Sequence, residues 1–144
     1  MRAAPPRSEA TTQLEVSAMM RSVLIADDQE SIRRLLCFLF SSQSDFEVCG
    51  EAENGQEAVE MAQLLHPDLI LLDLSMPVMN GIEAAGELKR LMHMTPIIVF
   101  SGFSDVLSEG EARKTGIAAC VSKEESLSVL LDKARAAACY PLAA

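Results

Sequence analysis

The sequence predicts an open α/β fold, a parallel sheet of five strands covered by helices on both faces. Three observations carry that expectation. The runs Leu69-Ile70-Leu71-Leu72 and Ile97-Ile98-Val99-Phe100 are branched and apolar without polar alternation, which suits strands buried on both sides. Segments with apolar residues at helical spacing alternate with such runs, so consecutive strands need right-handed crossovers and run parallel. The 144 residues, 49% apolar, are enough for one domain with a real core.

Residues 1–20 contain Arg2, Arg7, the pair Pro5-Pro6 and several Ser, Thr and Glu, with no apolar run long enough for a signal peptide or a membrane span. They are expected to form a disordered tail, with the folded domain over 21–138 and a C-terminal tail or truncated linker over 139–144. Ser22 to Ala26 is the first strand, ending in Asp27-Asp28, and Glu30-Ser31 opens a helix with Ile32, Leu35, Leu36, Leu39 and Phe40 on one side. Phe46 to Ala52 is the second strand. Asn54-Gly55 leads into a helix whose apolar face is Ala58, Val59, Ala62 and Leu65, and His66-Pro67 stops it.

The third strand precedes Asp73. Pro77 and Gly81 bracket a loop that a strand cannot continue through, and a helix runs from Ile82 to about Leu91. Pro96 to Phe100 is the fourth strand, ending at Ser101-Gly102. A weaker helix is expected over roughly 105–114, with Gly110 and many charges inside it and Gly116 as its cap. Ile117 to Val121 is the fifth strand, ending at Ser122-Lys123, and Leu127, Leu130, Leu131 and Ala134 give the last helix an inward face.

Because the strands are parallel, Asp27, Asp28, Asp73, Ser101 and Lys123 all fall at carboxyl ends of strands. In a flavodoxin-like (βα)5 order of 2-1-3-4-5, the order reverses between strands 1 and 3, and a crevice opens between the acidic pair and Asp73. Three crowded carboxylates repel, and a divalent cation relieves them. All-oxygen ligation selects Mg²⁺ or a similar hard ion. Lys123 and the Ser101 hydroxyl supply a point charge and a donor suited to phosphoryl oxygens. Asp73 is then a candidate nucleophile that takes a phosphoryl group as an acyl phosphate. The bland alternative makes these residues helix caps or solvated turns, and it weakens when five of them converge.

The formal charge of -9, without a block of Lys and Arg, argues against a nucleic-acid or anionic-membrane surface. Cys37, Cys49, Cys120 and Cys139 have no metal-ligand spacing and read as free thiols of a reducing, cytoplasmic compartment. His66 and His93 are isolated. Neither is expected to be a catalytic base.

Val23-Leu24-Ile25-Ala26-Asp27-Asp28, then Leu71-Leu72-Asp73-Leu74-Ser75-Met76-Pro77-Val78-Met79-Asn80-Gly81, then Ile97 to Gly102, and finally Lys123 resemble the receiver domain of bacterial two-component response regulators. The resemblance runs from about Arg21 to Ala138 and is nearest the NarL/FixJ type. It implies that Asp73 is the phosphoacceptor, charged by a histidine kinase or histidine phosphotransfer protein. It further implies that Asp28, Asp73 and the backbone carbonyl of Ser75 ligate Mg²⁺, that Asp27 acts through water, that Lys123 pairs with the phosphoryl group and that Ser101 is the switch hydroxyl.

Such a domain is no enzyme beyond catalysing its own phosphorylation and slow autodephosphorylation. Its output implies a docking partner or a C-terminal domain, DNA-binding in some relatives, and leaves homodimerisation open. In receivers the surface of the fourth helix, fifth strand and fifth helix often serves that docking.

Two departures bear on output. Cys120 stands where many receivers carry a Tyr or Phe that reports the switch, with Phe103 as a candidate substitute. Glu124 follows the lysine where Pro is frequent, so a trans bond is expected there, since a cis bond without proline costs roughly 3 kcal/mol. Two other function classes compete. A haloacid-dehalogenase-like aspartyl phosphohydrolase needs a second acid two residues after its nucleophile, where this chain has Ser75. A receiver-shaped interaction module independent of phosphorylation would not need the complete set of polar strand ends. A small-ligand or flavin binder on this fold rests on fold analogy only, and the sequence has neither GxGxxG nor a P-loop.

Overall fold

The computed structural model describes residues 20–102, 111 and 114–139. Strands β1 (Arg21–Ala26), β2 (Phe46–Ala52), β3 (Leu69–Leu72), β4 (Ile97–Ser101) and β5 (Ala119–Ser122) form one parallel sheet in the order β2-β1-β3-β4-β5. The described helices are α1 (Glu30–Ser41), α2 (Gly55–Leu65), α3 (Gly81–Leu91) and α4 (Leu127–Cys139). This is the predicted flavodoxin-like arrangement. The expected helix over 105–114 lies mostly outside the described residues, although Glu111, Lys114 and Thr115 are helical. Phe103, the tail before Met20 and the residues after Cys139 also lie outside them.

Side chains alternate across the sheet. Leu24, Ile70, Leu72, Ile97 and Val99 pack with Ala58 and Ala62 of α2 and with Ala84 and Leu88 of α3. Val23, Ile25, Leu71 and Ile98 pack on the other face with Leu36 and Phe40 of α1 and Leu130 and Ala134 of α4. The residues α2 buries are small, Gly55, Ala58, Val59 and Ala62, whereas α1 fills its side with the larger Arg33, Leu36 and Phe40.

Boundaries shift where hydrogen bonding overrides pattern. The fourth strand extends through Ser101, whose carbonyl accepts the Lys123 N–H at 2.7 Å. The fifth begins at Ala119 rather than Ile117, after a turn in which Gly116 takes a φ of 76°. The third helix starts at Gly81 because Asn80 and Glu83 close a reciprocal capping box in front of it. The last helix runs from Leu127 to Cys139. Among the described residues no peptide bond is cis, the Lys123–Glu124 bond included, as expected. No described helix is long and apolar enough to cross a membrane.

Candidate functional site

Asp27 follows the last residue of β1 and Asp73 follows the last residue of β3, on adjacent strands. The Asp27 N–H donates to the Ala52 carbonyl at 3.0 Å and the Asp73 N–H to the Ala26 carbonyl at 3.0 Å, so the ladder holds both backbones one step beyond the strands. Asp73 is 4% exposed and Asp27 1%, while Asp28 faces solvent. Carboxylate oxygens of Asp27, Asp28 and Asp73 all lie within 4.8 Å of one another.

Lys123 follows β5 and reaches back across the sheet edge. Its Nζ is 3.1 Å from Asp27 Oδ2 and 3.4 Å from Asp73 Oδ1. Asp27 Oδ1 accepts the Gln29 N–H at 2.9 Å in a local turn ahead of α1, whose N-cap is Gln29. Asp27 Oδ2 is buried and, despite the nearby ammonium, receives no hydrogen bond. One ammonium does not neutralise three carboxylates. Burial first, and then the Asp27 carboxylate, push the Asp73 carboxyl up to about 6 against the pull of Lys123.

The loop after Asp73 is pinned by two glycines. A side chain on Gly81 would stand 2.3 Å from the Asp73 carbonyl oxygen, and the Gly81 N–H donates to the Leu74 carbonyl at 2.9 Å. A side chain on Gly55 would stand 2.3 Å from the Met79 carbonyl oxygen, which accepts the Gly55 N–H at 2.9 Å. Between these anchors Pro77 and Val78 make the outermost turn, with Val78 81% exposed at a φ of 69°. The side chain of Ser75 also faces solvent in this loop.

The structure therefore brings together four of the predicted side chains, Asp27, Asp28, Asp73 and Lys123. Ser101 is buried at the end of β4, paired in register with Ser122. Since Leu72 pairs with Val99, continuing that register sets Asp73 beside Phe100 and Ser101 one residue further along. Cys120 is half-buried against the cluster that includes Val99, and burial pushes its thiol up.

Sequence reasoning missed Arg33. Its side chain is 10% exposed, and Nη1 donates to the Asp27 carbonyl at 2.9 Å. The available signal was its place on the apolar stripe of α1 with Leu36 and Phe40.

A buried oxygen short of a hydrogen bond, inside a cluster of oxygen donors with no His or Cys, fits a hard divalent cation. A family model described as the response regulator receiver domain matches residues 23–135. The chain belongs to that family.

The receiver of CheB from Thermotoga maritima superposes with a TM-score of 0.76 at 33% identity, over 85% of this chain and 98% of that one. A DNA-binding response regulator of the LuxR family from Staphylococcus aureus gives a TM-score of 0.73 at 28% identity, covering 82% of this receiver and 98% of that chain. In sequence, this receiver is 40% identical over 115 residues to the transcriptional regulatory protein PdtaR of Mycobacterium tuberculosis, which covers 80% of this chain and 55% of PdtaR. It is 39% identical over 126 residues to a protein-glutamate methylesterase/protein-glutamine glutaminase of Paramagnetospirillum magneticum, over 84% of this chain and 35% of that protein. The chain thus spans about a third to about half of these relatives. Relatives of equal likeness carry enzyme names and transcriptional names, so the likeness selects neither output for this chain.

Proposed function

We propose that this receiver takes a phosphoryl group onto Asp73 from the phosphohistidine of a kinase or phosphotransfer protein, and that Asp27, Asp28, Asp73 and the Ser75 carbonyl hold the Mg²⁺ the reaction needs. The observation that carries the reading is the convergence of Lys123 Nζ, 3.4 Å from Asp73, with an acidic pair whose oxygens lie within 4.8 Å of it. An Asp73 oxygen forms the new bond to phosphorus as the bond from phosphorus to the donor imidazole nitrogen breaks, and the imidazole leaves with that electron pair. Bound Mg²⁺ would supply positive charge to the phosphoryl oxygens.

The chain's own part is electrostatic and positional. Lys123 offers a point charge that exchanges Asp27 and Asp73 for the incoming oxygens, and burial keeps water away from the acyl phosphate. Ser101, buried at the adjacent strand end, would be the switch hydroxyl that follows the new charge. The folded unit is taken as 21–138, working in the cytoplasm, with its output through a docking partner, a second copy or a further domain.

Incubation with Mg²⁺ and phosphoramidate should add one phosphoryl mass to the native chain and none to Asp73→Asn, read by intact mass. An unmodified native chain would refute the proposal. A second reading, a receiver-like module that signals without phosphate, is favoured by Cys120, because a half-buried thiol cannot rotate inward as an aromatic ring does. Partner binding unchanged by phosphorylation would select it.

A further inference from the structure

Helix α1 buries three side chains, Arg33, Leu36 and Phe40, and one of them is charged. A guanidinium there carries a desolvation cost unless its donors are filled. They are filled from three directions: Nη1 to the Asp27 carbonyl at 2.9 Å, Nε to Glu51 Oε1 at 3.0 Å, and Nη2 toward Glu53 Oε1 at 3.5 Å. Glu51 ends near the edge of β2 and Glu53 follows that strand, so one side chain of α1 ties the end of β2 to the end of β1.

The Asp27 carbonyl shares a rigid peptide plane with the Asp28 N–H. Gripping that oxygen fixes the plane from which Asp28 departs. Other bonds hold the rest of Asp27, its N–H on Ala52 and its Oδ1 by Gln29, and neither acts on this plane. We infer that Arg33 is the positioning residue of the acidic pair, setting the Asp27–Asp28 peptide so that both carboxylates can face one cation together with Asp73. The inference rests on the metal site of the proposed function and deepens it.

Arg33 is also a fixed positive charge beside that site. Acting only as a charge, it would repel Mg²⁺, and its removal would tighten binding. Acting as a positioning group, its removal weakens binding. The two roles carry opposite signs, and a purely structural role would lower stability without moving the metal affinity of the folded protein.

The test is calorimetric titration of Mg²⁺ into the full chain for the native protein, Arg33→Met, Arg33→Lys and Arg34→Met, with the metal-free thermal midpoint of each recorded. Arg34 is solvent-exposed in an ion pair with Glu30 at 2.7 Å, and its removal deletes the same charge one residue along. Arg33→Met and Arg33→Lys should each weaken Mg²⁺ binding by roughly tenfold, as loss of supporting bonds around metal ligands does, while Arg34→Met should not weaken it. Equal or tighter binding by Arg33→Met overturns the inference. Should that variant not fold, native affinity in Arg33→Lys, which keeps the charge and loses the fork, overturns it equally. A native chain that binds Mg²⁺ but takes no phosphoryl group from phosphoramidate refutes the proposed function and leaves this comparison decisive; a native chain that binds no Mg²⁺ refutes both.

Discussion

Two edges of the same sheet hold carboxylates in opposite electrostatic states. At the carboxyl edge Asp73 is buried beside Asp27 with one shared ammonium, and its carboxyl is pushed up to about 6. At the amino edge Asp45 accepts both arms of the Arg135 fork, at 2.7 and 3.1 Å, and the guanidinium holds its carboxyl below the usual range. Arg135 also reaches Gln43 at 2.8 Å and lies over the Phe46 ring, which packs edge-on against Phe40. Asp68 is similarly satisfied, accepting the Ser22 N–H at 2.8 Å. The amino edge is a set of matched pairs that stabilises the fold. The carboxyl edge is left with excess negative charge, a condition that a cation relieves.

The largest test of this contrast removes the carboxyl edge's room. Gly81→Ala would set a methyl group 2.3 Å from the Asp73 carbonyl oxygen and 2.8 Å from the Leu74 Cα, backbone atoms that cannot yield without moving the site. A loss of about 3 kcal/mol in denaturant unfolding is expected. Gly50→Ala meets the side-chain ends of Leu65 and Met61, flexible tips that can turn aside, and more loosely that of Leu24, and should lose about 1 kcal/mol. Equal losses would show that the site's backbone is no tighter than the rest of the sheet.

The second test reads the two carboxylates through pH. For Asp73 the folded value, about 6, lies above the ordinary carboxyl value of 3.8, so the folded state holds its proton more tightly. Its contribution is fully present below pH 3.8 and is lost as pH rises through about 6. Asp45 runs the other way: its contribution is present above 3.8 and is lost as pH falls through its lowered folded value. In chelator, Asp73→Asn should therefore gain of order 2 kcal/mol at pH 7.5 and little at pH 4. Arg135→Met should lose about 1 kcal/mol at pH 7.5, the modest value of a partly exposed pair, and less at pH 3. Thermal midpoints across this range check both signs, and an Asp73→Asn gain that persists at pH 4 would locate its cause in packing rather than charge.

Much of the carboxyl edge was legible because strand ends are one-dimensional facts. A buried apolar run that stops at an acid, repeated at Asp27 and Asp73 and answered by Lys123, places side chains together once the strands are known to be parallel. The five-strand order followed from the same alternation. Pattern gave Arg33 a place on the stripe of Leu36 and Phe40 but not its role, since a charge on a helix is ordinarily its solvated face and its partners Glu51 and Glu53 are neighbours only after α1 docks on the sheet. The matched state of Asp45 was equally hidden, because Arg135 lies 90 residues away in sequence. Strand bounds slipped by one or two residues at β4 and β5, where the bond from the Lys123 N–H to the Ser101 carbonyl, not hydrophobicity, sets the end.

Strain sharpens the contrast on a smaller scale, for among the described residues each edge holds one non-glycine residue at positive φ. At the amino edge it is His66, φ 50°, closing α2 with its N–H on the Ala62 carbonyl. At the carboxyl edge it is Val78, φ 69°. A β-branched residue is a genuine outlier in this region, whereas His is several-fold enriched there. Val78 is 81% exposed, so no burial of its side chain offsets the strain; what holds the turn is the anchoring of Met79 and Gly81 on either side of Asn80. Val78→Gly should stabilise the fold by about 1 kcal/mol, the left-handed strain released less the added freedom of the unfolded chain. His66→Gly should gain less, a few tenths of a kcal/mol. If the two gains are equal in denaturant unfolding, the loop beside Asp73 stores no more strain than an ordinary helix end, and the carboxyl edge differs from the amino edge in its charges alone.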